Sequence, residues 1–261
     1  MRSVEPAAAP RRRLLVPAVM SLVGVALLIG LGVWQLQRRE WKHALIATLD
    51  ERLSAAPVAL PPPSAWNGLT QKDAEFCRVR LSGTYLHDAE ALVYAIGSGV
   101  RGSATGFGYL VFTPMRLADG SLVMVDRGFV PDGRKNPATR ADGQVPGEVE
   151  IVGVLRWPET RPLFAPDDDP QKNIFFVRDP AMLAQAKGLA GTGPLASFYV
   201  AKESPPVPGG MPKAGPLQPH LPDNHLQYAL TWFALAIGLA VIFFVWAFGG
   251  RRTGAKRVSA G

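Results

Sequence analysis

The run LLVPAVMSLVGVALLIGLGVWQL, Leu14–Leu36, and its counterpart LQYALTWFALAIGLAVIFFVWAF, Leu226–Phe248, decide the fold. Neither contains an Asp, Glu, Lys or Arg. Each spans roughly 23 residues, which at about 1.5 Å rise per residue exceeds the roughly 30 Å of a hydrocarbon core. The sequence therefore predicts two transmembrane helices bracketing a central domain. A cleaved signal peptide has a shorter apolar core, about 7 to 15 residues, and closes on small residues. The first run ends Gly32-Val33-Trp34-Gln35-Leu36 instead, so a retained anchor is expected. The second run follows directly on His225, in Asn224-His225-Leu226-Gln227-Tyr228-Ala229-Leu230-Thr231-Trp232-Phe233. An imidazole at a bilayer boundary needs a partner, because lipid offers it no hydrogen bond.

The chain of 261 residues has a formal net charge of +7, and where that charge sits decides what it means. Between Ala44 and Asn224, 17 Lys and Arg stand against 19 Asp and Glu, so the central domain is nearly neutral. The excess basic charge lies beside the membrane, where anionic lipid attracts it. There is no footprint for nucleic acid. Arg11, Arg12 and Arg13 precede the first run, and Arg251, Arg252, Lys256 and Arg257 follow the second. By the positive-inside rule they place both termini in the cytoplasm. Arg38, Arg39 and Lys42 oppose that orientation, whereas Pro219 to Asn224, free of Lys and Arg, supports it. The expectation is a two-span protein of a cell inner membrane with a periplasmic central domain. Cys77 is the one cysteine, which excludes an intramolecular disulfide and a Cys-x-x-Cys motif.

Segment by segment, residues 1–13 read as a basic tail, 14–36 as the first span and 37–56 as its amphipathic helical extension. Trp34, Leu36, Trp41, Leu45, Ile46, Leu49 and Leu53 recur there at helical spacing. Pro57, Pro61, Pro62 and Pro63 mark the boundary of a β-rich domain over 57–204. Strand character recurs at Phe76–Leu86, Ala91–Ile96, Gly108–Leu117, Leu122–Asp126, Val149–Trp157, Asn173–Val177 and Leu195–Ala201. Ala118-Asp119-Gly120 signals a hairpin, and Pro180–Lys187 reads as the one helix inside the domain. A proline-rich connector follows at 205–224, then the second span at 225–248 and a basic tail at 249–261. The fold class expected is an α+β membrane protein. A two-helix transmembrane hairpin flanks a mostly antiparallel β domain, a small barrel or sandwich with few helices. Ala26 with Gly30, and Ala234 with Gly238, have the four-residue spacing that lets helices approach closely.

Chemistry concentrates at His225. A lone interfacial histidine serves as a cap or hydrogen-bonding group, or as an axial ligand to haem iron. Tyr228 and Trp232, three and seven residues on, share its helix face and supply a flat apolar wall for the second role. Thr231 is suited to bonding back to a helix carbonyl. Other chemistries are thin. His43, His87, His220 and His225 are scattered, and no Gly-x-Ser-x-Gly or His-Glu-x-x-His occurs. The glycines between Gly97 and Gly108 lead into a strand, so they read as a hairpin loop rather than a phosphate cradle. Asp167-Asp168-Asp169 reads as a solvated turn. Asp126-Arg127-Gly128 ends a strand as a local ion pair or a partner-facing loop.

Three ordered motifs carry a resemblance. They are Gly32, Trp34, Gln35, Leu36, Arg38, Trp41 and Lys42; Val123, Val125, Asp126, Arg127, Gly128, Phe129, Val130 and Pro131; and Asn224, His225, Tyr228, Ala229, Thr231, Trp232, Phe233, Leu235 and Ala236. Together, along nearly the whole chain, they resemble the SURF1 (Shy1) family of cytochrome c oxidase assembly factors. The stretch Phe175-Phe176-Val177-Arg178-Asp179 fits the family pattern only loosely. The resemblance implies a non-enzymatic assembly factor of respiratory-chain biogenesis. It would bind haem a transiently, with His225 as axial ligand and Tyr228 and Trp232 beside it, and assist insertion into oxidase subunit I. Trp34, Gln35, Arg38, Trp41 and Arg127 become pocket or interface candidates, and the partners implied are subunit I, haem a synthase and membrane lipid. The alternative is a membrane scaffold that stabilises subunit I without holding cofactor.

Overall fold

The computed structural model describes residues 12–98, 105–217 and 223–249. Arg11, the basic residues after the second span, the 99–104 loop, His220 and most of Pro219 to Asn224 lie outside the described residues. The chain forms two units, one made of Met1–Ala47 with Leu221–Gly261 and the other of Thr48–His220.

Helix α1 (Arg12–Ser54) runs through the first apolar run and its amphipathic extension as one element. No Gly or Pro falls between Gly32 and Pro57 to interrupt it. It ends at Ser54, whose hydroxyl donates to the Asp50 carbonyl at 2.6 Å. Arg52, in the last turn where a cation suits the helix dipole, donates to the carbonyls of Glu75 at 2.8 Å and Lys72 at 2.9 Å.

The domain follows as β1 (Val58–Ala59), α2 (Pro63–Trp66), α3 (Gln71–Ala74), β2 (Arg78–Tyr85), β3 (Ala91–Ser98), β4 (Thr105–Arg116), β5 (Leu122–Pro131), β6 (Glu148–Arg156), β7 (Ile174–Phe175), α4 (Pro180–Ala186) and β8 (Leu195–Ser204). The strand order is β1-β2-β6-β8-β5-β4-β3-β7. A further pairing, Thr84 with Arg116 and Tyr85 with Met115, joins β2 to β4 and closes β2, β6, β8, β5 and β4 into a five-stranded barrel. Most pairs are antiparallel, while β5–β8, β1–β2 and β3–β7 are parallel.

Alternation sets the inside of the barrel. Val79 and Leu81 on β2, Val123 and Val125 on β5, Ile151 and Leu155 on β6, and Ala196, Phe198 and Val200 on β8 share one core. Burying side chains such as Phe198 and Met115 stabilises by about 1.5–3 kcal/mol each. A second core lies under β3, β4 and α4, around Phe112, Phe175 and Leu183.

Three sequence expectations change. The domain contains the one-turn helices α2 and α3 besides α4, because Pro63 and Thr70 start turns too short for periodicity to register. Strand β5 does not end at Asp126 but continues to Pro131. Asp126-Arg127-Gly128 lies within it at a bulge opposite Leu110 and Phe112, with Gly128 at φ +116° absorbing the extra residue. The third concerns the helices. Helix α5 (His225–Gly249) packs on α1 through Gly32 and Gly24, not through Ala26 and Gly30. A Cβ on Gly32 would lie 2.4 Å from the Phe233 ring, and one on Gly24 2.8 Å from Leu239. Ala229 and Ala236 are buried on the α5 side. A Cβ on Gly30 or Gly238 would meet nothing within 4 Å among the described residues. Two residues turn a helix by about 200°, so Gly30 faces away from the seam that Gly32 lines.

Candidate functional site

The first candidate site is the start of α5. Asp223, two residues before His225, caps it: its Oδ1 accepts the His225 backbone N–H at 3.0 Å. Its Oδ2 accepts from His43 Nε2 at 2.6 Å and stands 3.5 Å from Arg39 Nε. The His43 hydrogen bond first, and the His225 N–H next, hold the Asp223 carboxyl below the usual carboxylate range. One carboxylate thus ties the beginning of α5 to the polar continuation of α1.

The imidazole itself meets Gln35. His225 Nδ1 lies 2.7 Å from Gln35 Oε1. An amide oxygen only accepts, so with Gln35 Oε1 facing the ring Nδ1 is the donor of this contact and Nε2 is the nitrogen on the other side of the ring. This is the donor arrangement of a metal-ligating histidine, oriented by an outer partner on its other nitrogen. Thr231 donates to the Gln227 carbonyl at 2.9 Å and is occupied within the helix.

The other predicted residues divide. Gln35 is brought to His225; Tyr228 is more than half exposed and Trp232 half-buried, one and two turns along α5. Trp34 and Trp41 are both more than half exposed, and the Arg38 guanidinium lies 4.0 Å over the Trp41 ring. Among the described residues no ring contact joins these aromatics to the imidazole. Asp223 carried no signal in the sequence, and His43 and Arg39 stood out there only as a scattered histidine and as a charge opposing the orientation.

Arg127 belongs to the other unit, and it is neither a local ion-pair residue at a strand end nor a surface loop. It is 1% exposed. Its guanidinium lies 4.7 Å over the Tyr85 ring, donates to the Gly143 carbonyl, and approaches His87 Nδ1 at 3.3 Å. His87 Nε2 donates to the Val145 carbonyl at 2.9 Å, leaving Nδ1 as the acceptor. Burial, more than any neighbouring charge, keeps the His87 pKa below its ordinary value, which preserves that neutral form. Arg140 and Glu90, both buried, pair alongside, with Arg140 Nη1 3.1 Å from Glu90 Oε2. The Asp167–Asp169 turn is structural: Asp168 accepts the Phe176 N–H at 2.8 Å and Asp169 that of Lys172 at 3.0 Å.

Comparison with known proteins sets these residues in a family. The family model described as the SURF1 family matches residues 22–237, most of the chain and both halves of the helix pair. Surfeit locus protein 1 of Homo sapiens is 36% identical over 226 residues, covering 82% of this chain and 72% of that protein. A SURF1-like protein of Monosiga brevicollis is 37% identical over 235 residues, covering 87% and 86%. A SURF1-like protein of Drosophila melanogaster is 36% identical over 230 residues, covering 83% and 72%.

Proposed function

This chain belongs to the SURF1 family, which implies a role in cytochrome c oxidase assembly, and from that premise we propose that it carries haem a as cargo at the start of α5. Two helices are long and apolar enough to cross a membrane, Leu14–Ser54 and His225–Phe248. In this reading they span a cell inner membrane with the β domain in the periplasm, and His225 sits at the outer face.

The observation that carries the reading is the 2.7 Å contact between His225 Nδ1 and Gln35 Oε1. In this reading the contact engages Nδ1 and leaves Nε2 to bind the iron of haem a. Gln35 holds the ring in one tautomer, Asp223 fixes the backbone beneath it, and Tyr228 and Trp232 offer apolar surface to the macrocycle. Phe233 against Gly32 keeps the two helices in register at this depth. One imidazole is a modest grip. That suits a carrier, because the haem leaves for a site in oxidase subunit I with more ligands. No bond-making reaction is required, and subunit I with haem a synthase are the expected partners.

The rival reading is a scaffold that stabilises subunit I without cofactor. The two separate when the protein is purified from cells that make haem a and assayed for haem and for bound subunit I. A carrier loses its haem in His225→Ala. A scaffold has no haem to lose and keeps subunit I unchanged.

A further inference from the structure

The inward alternation that builds the barrel core ends, on three strands, in polar side chains. Val79 and Leu81 lead to Tyr85, Val123 and Val125 to Arg127, and Phe198 and Val200 to Lys202. These three meet at a cavity of about 140 Å³, walled otherwise by Val149, Ile151 and Val207, with Pro205 to Pro208 along its side. Arg127 and Lys202 are 1% and 5% exposed. Lys202 Nζ donates to the Pro205 carbonyl and Arg127 to the Gly143 carbonyl, neutral acceptors that leave both charges uncompensated, so two buried cations at one cavity call for a counter-anion. The one carboxylate on the wall, Glu150, is largely exposed and faces Arg80 at 3.7 Å. The Tyr85 hydroxyl is buried and has no hydrogen-bond partner among the described residues, an orphan donor on a residue of the same cavity.

We propose that this end of the barrel binds a small alkyl carboxylate, its oxygens held by the Lys202 ammonium, the Arg127 guanidinium and the Tyr85 hydroxyl, its tail against Val149, Ile151 and Val207. The site is independent of the reading of His225. At about 10–15 Å³ of such space for one water-sized group, a cavity of about 140 Å³ admits the five heavy atoms of propionate. The apolar walls favour an alkyl carboxylate over an inorganic anion, whose remaining oxygens would meet dry surface. Burial, with Arg127 adding to it, pulls the Lys202 pKa down to about 8. Burial also pushes the Tyr85 hydroxyl up to about 12, so it keeps its proton as a donor at neutral pH.

The test is calorimetric titration of propionate, 1-propanol and phosphate into the full-length detergent-solubilised protein, wild type beside Tyr85→Phe and Lys202→Met, each checked for folding by its thermal transition. The expected result is saturable one-to-one propionate binding, with 1-propanol and phosphate at least tenfold weaker. Lys202→Met should lose tenfold or more in affinity. Tyr85→Phe, which keeps the ring beneath Arg127, should lose severalfold, and it carries the test alone if Lys202→Met does not fold. No saturable binding to the wild type, propionate affinity unchanged in the folded variants, or phosphate binding as tightly as propionate would overturn the proposal.

Discussion

At the scale of single residues, Gln35 Oε1 stands 2.7 Å from His225 Nδ1, the place of an outer partner to a ligating histidine in the proposed carrier. Removing such a partner typically costs tenfold to a hundredfold in affinity for the bound metal. Gln35→Ala should therefore weaken haem a retention by about that factor while leaving the protein folded, read as haem dissociation from the purified protein. Lys202 makes a second prediction. Its pKa falls from 10.5 to about 8 in the fold, with Arg127, Tyr85 and Glu150 the charged and titratable groups on the same cavity. Below pH 8 folded and unfolded chains both hold the proton. Between about 8 and 10.5 the unfolded chain keeps it while the folded domain sheds it, so stability rises with pH across that window. Tyr85 acts later and oppositely, since its raised pKa lowers stability only above about pH 10. Denaturant melts of wild type and Lys202→Met from pH 7 to 10 should show the rise in the first and its loss in the second. Lys202 was legible in principle, because it continues the alternation of Ala196, Phe198 and Val200. What hid it is that alternation alone does not say which face is enclosed.

At the scale of elements, the helix pair depends on glycine at Gly32. A methyl group there meets the Phe233 ring, whereas one at Gly30 meets nothing. Overpacking of this kind costs about 1–3 kcal/mol. Gly32→Ala should lower the stability of the helix pair by that order and Gly30→Ala should leave it unchanged, measured by unfolding in mixed micelles. Both long apolar helices were readable from their uncharged runs, and so was most of the strand pattern. The interface was not. The α1 glycines that meet α5, Gly24 and Gly32, stand eight residues apart, so the four-residue pair Ala26 and Gly30 did not mark them. Strand β1 and the turns α2 and α3 were too short to show a period, and the parallel pairing of β5 with β8 depends on contacts far apart in sequence.

At the scale of the whole molecule, the proposed topology holds the β domain outside the cytoplasm. Leu163 is 89% exposed on that domain. In a Cys77→Ser background, Leu163→Cys should react with an impermeant maleimide added to intact spheroplasts, without permeabilisation. Labelling only after the membrane is broken would invert the topology. The barrel was legible as a class, a small barrel or sandwich, and its closure through Tyr85 and Met115 settles which. The site at His225 was legible as a histidine that needs a partner. That the partner is Gln35 followed from the resemblance only as a pocket or interface candidate, because Gln35 and His225 stand 190 positions apart and no local pattern links them.

The most direct measurement is the visible absorbance spectrum of the protein purified from cells that synthesise haem a, wild type beside His225→Ala. A haem a spectrum in the wild type that is lost or strongly shifted in the variant is the predicted result. A wild type without haem, or a spectrum that His225→Ala leaves unchanged, would contradict the assignment of His225 as the ligand.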